Sequence, residues 1–240
     1  LLQVLESKCG PIQPVATGGL SLGEYSALVA AKKVTFQEGL PLVHARGKAM
    51  HEACEAHSGT MSVILGLEDD VVEKIVTDLN LPQELWCANF NCPGQVVISG
   101  TPRGIELGIK ACLEKGAKRA LPLQVHGAFH SGLMKDAEAK LAPHLNATHF
   151  HESPIKVASN VTGAFFEPTM MQKLLLQQIT SPVRWQQAVR SIDREGIDLF
   201  IEIGCGKTLA GLNKRIGVTA PTINLEKIED LKTLEEALQK

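Results

Sequence analysis

Residues 19–23 read Gly19-Leu20-Ser21-Leu22-Gly23, and what flanks them limits the fold more than any other stretch. An apolar segment, residues 12–16, precedes them, and Glu24-Tyr25-Ser26-Ala27-Leu28-Val29-Ala30-Ala31, a good helix, follows. On its own, G-x-S-x-G also fits a plain Gly/Ser turn. Between a strand and a helix it is the pattern of a nucleophile elbow, a sharp turn that holds a serine hydroxyl at its tip. Glycines let the chain reverse without a side-chain clash. The helix that follows offers unpaired N–H groups and the positive end of its dipole to a developing oxyanion. A chain built around such a turn is expected to be α/β.

The remaining patterns read as an α/β core with an insert. Thr35-x-x-Glu38 is a capping box that opens a helix. Its apolar seam is expected at Leu40, Val43, Gly47, Met50 and Cys54, at spacings of three and four, with Gly59 marking its end. The rhythm then changes to a strand at 61–65, a helix at 68–79 with Val71, Val72, Ile75 and Leu79 on one face, and a strand at 85–90. After the turn Cys92-Pro93-Gly94 come a strand at 95–99, a helix from Thr101-Pro102 to Gly116, and a strand at 120–125. The order βαββαβ is ferredoxin-like. The expected division is therefore a discontinuous core, residues 1–58 and 127–240, around a subdomain at 59–126. The core resumes with a helix at 133–145, a strand at 155–159, and helices at 171–179 and 182–195. A buried strand at 198–203, a short helix, a strand at 222–225 and a terminal helix complete it.

Bulk properties narrow the function. With 24 Lys and Arg against 26 Asp and Glu, the net charge of −2 leaves no electrostatic signature for nucleic acid or an anionic membrane. No apolar run has the length of a bilayer span, and Leu1-Leu2-Gln3-Val4-Leu5-Glu6 lacks the basic start of a signal peptide. Six cysteines (Cys9, Cys54, Cys87, Cys92, Cys112, Cys205) contain no C-x-x-C pair and read as free thiols of a reducing compartment. His149 and His151 flank Phe150 without the Cys or carboxylate partners of a metal site. No metal and no bound cofactor are expected.

A serine nucleophile needs a base. Among eight histidines, His44, His51 and His57 share the polar flank of one helix and His126 ends a strand. His130, in Gly127-Ala128-Phe129-His130-Ser131-Gly132-Leu133-Met134, lies where the insert returns to the core. From position alone it reads more readily as a helix-capping or surface histidine. Arg46 falls between Val43 and Met50 at the edge of the apolar seam, where an arginine either snorkels outward or meets an anion.

These residues resemble the malonyl-CoA:acyl-carrier-protein transacylase family and the related acyltransferase domains of fatty-acid and polyketide synthases. The resemblance runs over nearly the whole chain. It rests on Ser21-Leu22-Gly23-Glu24-Tyr25-Ser26-Ala27-Leu28, Arg46-Gly47-x-x-Met50 and Asn91-x-Pro93-Gly94-Gln95-Val96-Val97-Ile98-Ser99-Gly100. It continues with Phe129-His130-Ser131-x-Leu133-Met134, Ser181-Pro182-Val183-x-Trp185 and Glu202-x-Gly204-x-Gly206-Lys207. The resemblance implies a hydrolase-like three-layer α/β core with a parallel sheet and an inserted ferredoxin-like subdomain. It implies ping-pong transfer of a malonyl group from malonyl-CoA to the phosphopantetheine thiol of acyl carrier protein, supplying fatty-acid synthesis. Ser21 is then the acyl acceptor, His130 its base, Gln178 the main-chain carbonyl that orients His130, and the Leu22 N–H an oxyanion donor. Arg46 pairs with the malonyl carboxylate, Phe129 crowds a methyl branch, and Met50, Asn91 and Gln95 line the site. Asn91 and Gln95 read equally well as polar residues with structural hydrogen bonds.

The implied partners are malonyl-CoA and a transient, acidic acyl carrier protein, for which Lys135, Lys207, Lys214 and Arg215 are candidate docking residues. Neither nucleic acid nor membrane is a partner, and the enzyme is expected to be a monomer. Two departures from the family stand out. Leu20 replaces the histidine usual in bacterial members and resembles plastid-type members, implying a plastid-type organelle or another reducing compartment, and the cytoplasm if the source is bacterial. The family's leading strand and G-Q-G-type loop do not precede Ser21, and Gln13 has a different setting. The expectation is a truncated chain lacking one oxyanion donor. The alternatives are an α/β-hydrolase thioesterase or esterase, disfavoured because no histidine follows His151, and a non-catalytic fragment or binding module.

Overall fold

Two kinds of sheet divide the labour in the computed structural model, which describes residues 1–238. In chain order the first elements are α1 (Leu2–Cys9), β1 (Ala16–Thr17), α2 (Leu22–Ala30) and α3 (Phe36–Ala56). Next come β2 (Thr60–Leu65), α4 (Asp69–Asp78), β3 (Leu85–Cys92), β4 (Gln95–Gly100), α5 (Pro102–Glu114) and β5 (Arg119–Pro122). A 3-10 turn (Gly132–Met134) leads into α6 (Lys135–Ala147), followed by β6 (Lys156–Val157), a second 3-10 turn (Pro168–Met170), α7 (Met171–Gln177) and α8 (Trp185–Asp193). The last four are β7 (Phe200–Ile203), α9 (Thr208–Ile216), β8 (Thr222–Leu225) and α10 (Asp230–Leu238).

The four strands β2–β5 form one antiparallel sheet in the order β3-β4-β2-β5, with Met61 opposite Ser99 and Cys87 opposite Ile98. With α4 and α5 between its strands, this is the ferredoxin-like arrangement read from the sequence. Pairing fixes two faces. One buries Ile64, Leu85, Phe90 and Ile98 against Val72 and Ile75 of α4 and Ile105 of α5. The other presents Met61, Ala88 and Val97, against which half-buried Phe129 packs. The sheet is tied to the core through β3, since the Phe90 N–H donates to the Val183 carbonyl and the Val183 N–H to that of Ala88.

The core strands are parallel but come as two separate pairs, β1 with β6 and β7 with β8. Around them, Tyr25 and Leu28 of α2, Leu42, Ala49, Met50 and Ala53 of α3, Leu141 and Leu145 of α6, and Leu175 of α7 pack in one apolar cluster.

Several expectations need correction. The strand expected at 12–16 is only two residues, Ala16–Thr17, because its partner β6 is equally short. The strand expected at 198–203 is not buried, and Ile203 is exposed. The last strand of the insert stops at Pro122, which cannot donate to a ladder, rather than running to residue 125. The helix after Pro182 begins only at Trp185, because residues 182–184 are occupied pairing with β3 and with Asn160. The most consequential correction concerns α3. Thr35 and Glu38 do close the capping box, but the buried line is Gly39, Leu42, Arg46, Ala49, Met50 and Ala53. Leu40 is 55% exposed and Gly47 exposed, so the helix is rotated relative to the expected seam and Arg46 lies on its buried face.

Candidate active site

The elbow is enforced by close packing. A Cβ on Gly19 would sit 2.0 Å from the Gly23 carbonyl group, so only glycine allows the chain to double back there. Between them Ser21 adopts φ 53°, ψ −104°, a region in which a non-glycine residue persists only when its surroundings hold it. Asn160, in the loop after β6, does the holding. Its Oδ1 accepts from the Ser21 N–H at 2.7 Å and its Nδ2 donates to the Gly19 carbonyl at 2.8 Å. Its own N–H donates to Glu24 Oε1 at 2.7 Å. The Leu22 N–H heads α2, where no intrahelical acceptor exists, which leaves it free for an oxyanion.

His130 lies in the turn before the Gly132–Met134 3-10 segment, with φ 57°, and is 4% exposed. Its Nε2 is 2.9 Å from Ser21 Oγ, and its Nδ1 is 2.8 Å from the Gln178 carbonyl oxygen. A carbonyl can only accept, so Nδ1 carries the proton and Nε2 is left to accept from the serine hydroxyl. Burial pushes the His130 pKa down to about 4, against the pull of the Gln178 hydrogen bond, so the ring is neutral at pH 7. The orienting group is thus an uncharged carbonyl in the position where many serine enzymes place a carboxylate.

Arg46 reaches the same hydroxyl. Its Nη2 donates to Ser21 Oγ at 2.9 Å and to Gln178 Oε1 at 3.0 Å. Only 6% of the residue is exposed, and its guanidinium carbon lies 5.4 Å from the centroid of the Tyr25 ring. Burial lowers its pKa, opposed by Tyr25 and Glu24. Its Nε has no hydrogen-bond partner in the described residues, so a buried cation retains donor capacity beside the nucleophile. Glu24, wholly buried, accepts from Gln178 Nε2, which also donates to the Ser21 carbonyl at 2.9 Å. Burial pushes Glu24 up to about 8, with the Asn160 N–H, the Gln178 amide and Arg46 pulling the other way.

Ser21, Leu22, Arg46, His130 and Gln178 are therefore brought together. Phe129 precedes the histidine and bridges the core cluster and the inner face of the four-stranded sheet. Met50 is buried within the core cluster, where packing alone accounts for it. Asn91 and Gln95 flank the β3–β4 turn and make no hydrogen bond to Ser21, His130 or Arg46 among the described residues. Gln95 Oε1 accepts from Cys92 Sγ at 3.8 Å, and Asn91 Oδ1 is buried without a partner. Sequence reasoning missed Glu24, Asn160 and the Gln178 side chain. The one available signal was Glu24 itself, the sole charge in a nine-residue helix.

A cavity of about 350 Å³ opens beside His130, lined by Glu73, Trp86, Cys87, Thr180 and Pro182. Lys135, Lys207, Lys214 and Arg215 are all exposed. No cluster of three or more metal-ligating side chains occurs among the described residues, and His151 pairs with Glu38 at 3.1 Å. The thiols are free. Burial raises Cys87 to about 12 and Cys112 to about 11 and also raises Cys54 and Cys92, whereas Cys205 is exposed.

A family profile described as acyl transferase domain matches residues 1–215. The chain belongs to this family. Within it, the chain is 43% identical over 244 residues to the malonyl CoA-acyl carrier protein transacylase of Bacillus subtilis, covering 99% of the chain and 75% of that protein. Identity to the enzyme of the same name from Haemophilus influenzae is 37%, covering 99% and 77%. Among solved structures, an acyl carrier protein S-malonyltransferase from Vibrio cholerae superposes with a TM-score of 0.91 at 38% identity, covering 97% of this chain and 76% of that one. A malonyl-transacylase in complex with its type II PKS acyl-carrier protein superposes at 0.92, also at 38% identity, covering 98% and 76%. This acyl transferase domain therefore spans about three quarters of the length of those relatives.

Proposed function

We propose that this acyl transferase domain carries a malonyl group from malonyl-CoA to the phosphopantetheine thiol of acyl carrier protein, with Ser21 as the temporary carrier. The single observation that carries this reading is the buried Arg46 guanidinium, 2.9 Å from the Ser21 hydroxyl. A hydrolase for neutral esters gains nothing from a desolvated cation at that point. An acyl chain ending in a carboxylate does, because a buried, bidentate arginine–carboxylate pair supplies both affinity and discrimination.

The reaction runs in two halves. His130 Nε2 takes the Ser21 hydroxyl proton as Oγ attacks the malonyl thioester carbon. The Oγ–C bond forms, the carbonyl oxygen becomes an oxyanion facing the Leu22 N–H, and its collapse breaks the C–S bond. The departing CoA thiolate takes the proton back from Nε2. In the second half the phosphopantetheine thiol gives its proton to Nε2 and attacks the malonyl-serine ester, and Ser21 Oγ leaves with that proton. The Gln178 carbonyl holds the ring through both halves, and Arg46 holds the malonyl carboxylate between them.

The division into residues 59–126 and a core of 1–58 and 127–240 supports this reading by setting β3 against the segment that leads from Gln178 to α8. The finer assignment to a plastid-type enzyme rests on Leu20, which is half-buried against Cys92, Val183 and Trp185 and so is a packing residue rather than a chemical one. Intact mass after mixing with malonyl-CoA tests the proposal. The chain gains one malonyl group and Ser21→Ala gains none, a loss of at least about 10⁴-fold in acylation. An adduct on Ser21→Ala that resists neutral hydroxylamine, and so is not a stray cysteine thioester, overturns it.

A further inference from the structure

The catalytic contacts account for the Ser21 hydroxyl, both ring nitrogens of His130 and one nitrogen of Arg46. They do not account for Glu24, a carboxyl with no exposed surface placed two bonds of the network away from each of them. Burying such a group is unfavourable unless its oxygens are satisfied, and here both are. Oε1 takes the Asn160 N–H and Oε2 takes Gln178 Nε2. We propose that Glu24 is the positioning residue that sets the side-chain amide of Gln178 and the backbone of Asn160, and through them aligns Arg46, His130 and Ser21 at once. The inference rests on the malonyl-transfer reading and deepens it by naming what sets its selectivity.

Which way the Gln178 amide points decides which partners it can serve. Gln178 offers one acceptor and two donors. The Ser21 carbonyl can only accept and takes Nε2 at 2.9 Å, with Glu24 Oε2 on the same nitrogen, so Nε2 faces them. Oε1 is then left facing Arg46, whose Nη2 donates to it at 3.0 Å. Rotating the amide by half a turn would set an NH₂ group against a guanidinium and an oxygen against two oxygens. Glu24 therefore dictates an orientation that Arg46 needs. The main-chain carbonyl of the same Gln178 receives the His130 Nδ1 proton, so holding the side chain also steadies the carbonyl that orients the base. On the other side, Glu24 Oε1 accepts from the Asn160 N–H, and the Asn160 side chain fastens the strained elbow at Gly19 and Ser21.

The substitution Glu24→Gln keeps the shape and breaks the logic. A glutamine at 24 has one oxygen facing two N–H donors, so either Asn160 or Gln178 loses its acceptor, and the Gln178 amide is free to flip. Losing one of these buried hydrogen bonds lowers malonylation of Ser21 by about ten- to a hundredfold. Acetylation from acetyl-CoA falls less, because an acetyl group has no carboxylate for Arg46 to hold. The malonyl-to-acetyl ratio therefore drops in Glu24→Gln, measured by single-turnover intact mass on the full chain. A second readout needs no turnover. The His130 ring, followed by NMR, titrates at a shifted midpoint in Glu24→Gln relative to the unmodified chain. If Glu24→Gln does not fold, Glu24→Asp, which keeps both acceptor oxygens but draws them back, gives the same two changes at smaller size. An unchanged malonyl-to-acetyl ratio or an unmoved His130 midpoint in the folded variant overturns the assignment. Absence of any acyl adduct on the unmodified chain would instead overturn the malonyl-transfer reading, and the His130 midpoint would still decide the role of Glu24.

Discussion

The four-stranded sheet and the elbow are held together by different means. In the sheet, Ile64, Phe90 and Ile98 are wholly buried among other apolar side chains, and each contributes area rather than direction. Around Ser21 the buried groups are Glu24, Arg46, His130, Asn160 and Gln178, all polar, and each contributes a hydrogen bond with a fixed donor and acceptor. An apolar core tolerates a lost methyl group by settling around it, and the cost is graded. A buried polar network tolerates little, because removing one member strands its neighbours in a place water cannot reach. Stability and activity should therefore respond to substitutions in separable ways.

The sharpest test of that separation is Arg46→Ala. Malonyl transfer should fall by about 10²–10³-fold, the range seen when a single preorganised charge-stabilising donor is lost. Acetyl transfer, measured in the same assay, should fall much less. Equal losses would mean that Arg46 serves the elbow alone. A smaller effect of the opposite kind is expected for Ile98→Val in the sheet. It should lower unfolding stability by about 0.5–1.5 kcal/mol in a denaturant titration and leave the malonyl-to-acetyl ratio unchanged. A shifted ratio would show that the two regions are mechanically coupled. The smallest effect is that of pH near neutrality. Because burial holds His130 at about 4, below the ordinary 6.5, ring protonation should lower the acylation rate only well below pH 6, and any change toward pH 8 reports Glu24, which burial pushes up to about 8. The sign for stability is the same for His130. A depressed pKa contributes stability that is complete above 6.5 and is lost as pH falls toward 4, whereas Glu24, raised from 4.5 to about 8, gains stability over the same fall, so the His130 share is read as the difference in urea midpoint between the chain and Glu24→Gln. A rate midpoint near 6.5 would place His130 in water rather than in the protein.

The same contrast explains what the sequence could disclose. The sheet was legible because alternation and helical periodicity are local signals, and Thr35-x-x-Glu38 announced α3 from its first turn. The position of Arg46 was not, because a charged residue inside an apolar seam is scored as an interruption. Leu40 fits the seam's spacing although it faces solvent, which shifts the apparent face of the helix. The elbow and His130 were legible as motifs. Asn160 and the side-chain amide of Gln178 were not, since they lie 139 and 157 residues from Ser21 in the chain and carry no periodicity, and the Gln178 carbonyl came only through the family resemblance. Glu24 was visible as an odd charge, but only the fold shows what its two oxygens receive. The two short parallel pairs were over-read as longer strands, because apolar runs such as residues 12–16 say nothing about the length of the partner that must pair with them.

The state of the thiols bears on how any acyl adduct should be interpreted at the bench. Thioesters pass acyl groups to sulfur as readily as to oxygen, but only thiolates accept them. Burial keeps Cys54, Cys87, Cys92 and Cys112 protonated and shielded, while Cys205 is in the open. Stray acylation by malonyl-CoA would therefore fall first on Cys205, exposed in a glycine loop, and next on half-buried Cys9. Such a sulfur ester would be stripped by neutral hydroxylamine, whereas an oxygen ester at Ser21 would survive the treatment. The molecule is thus chemically quiet around its nucleophile, and a single wash separates the acyl group it was built to hold from one that merely landed on it.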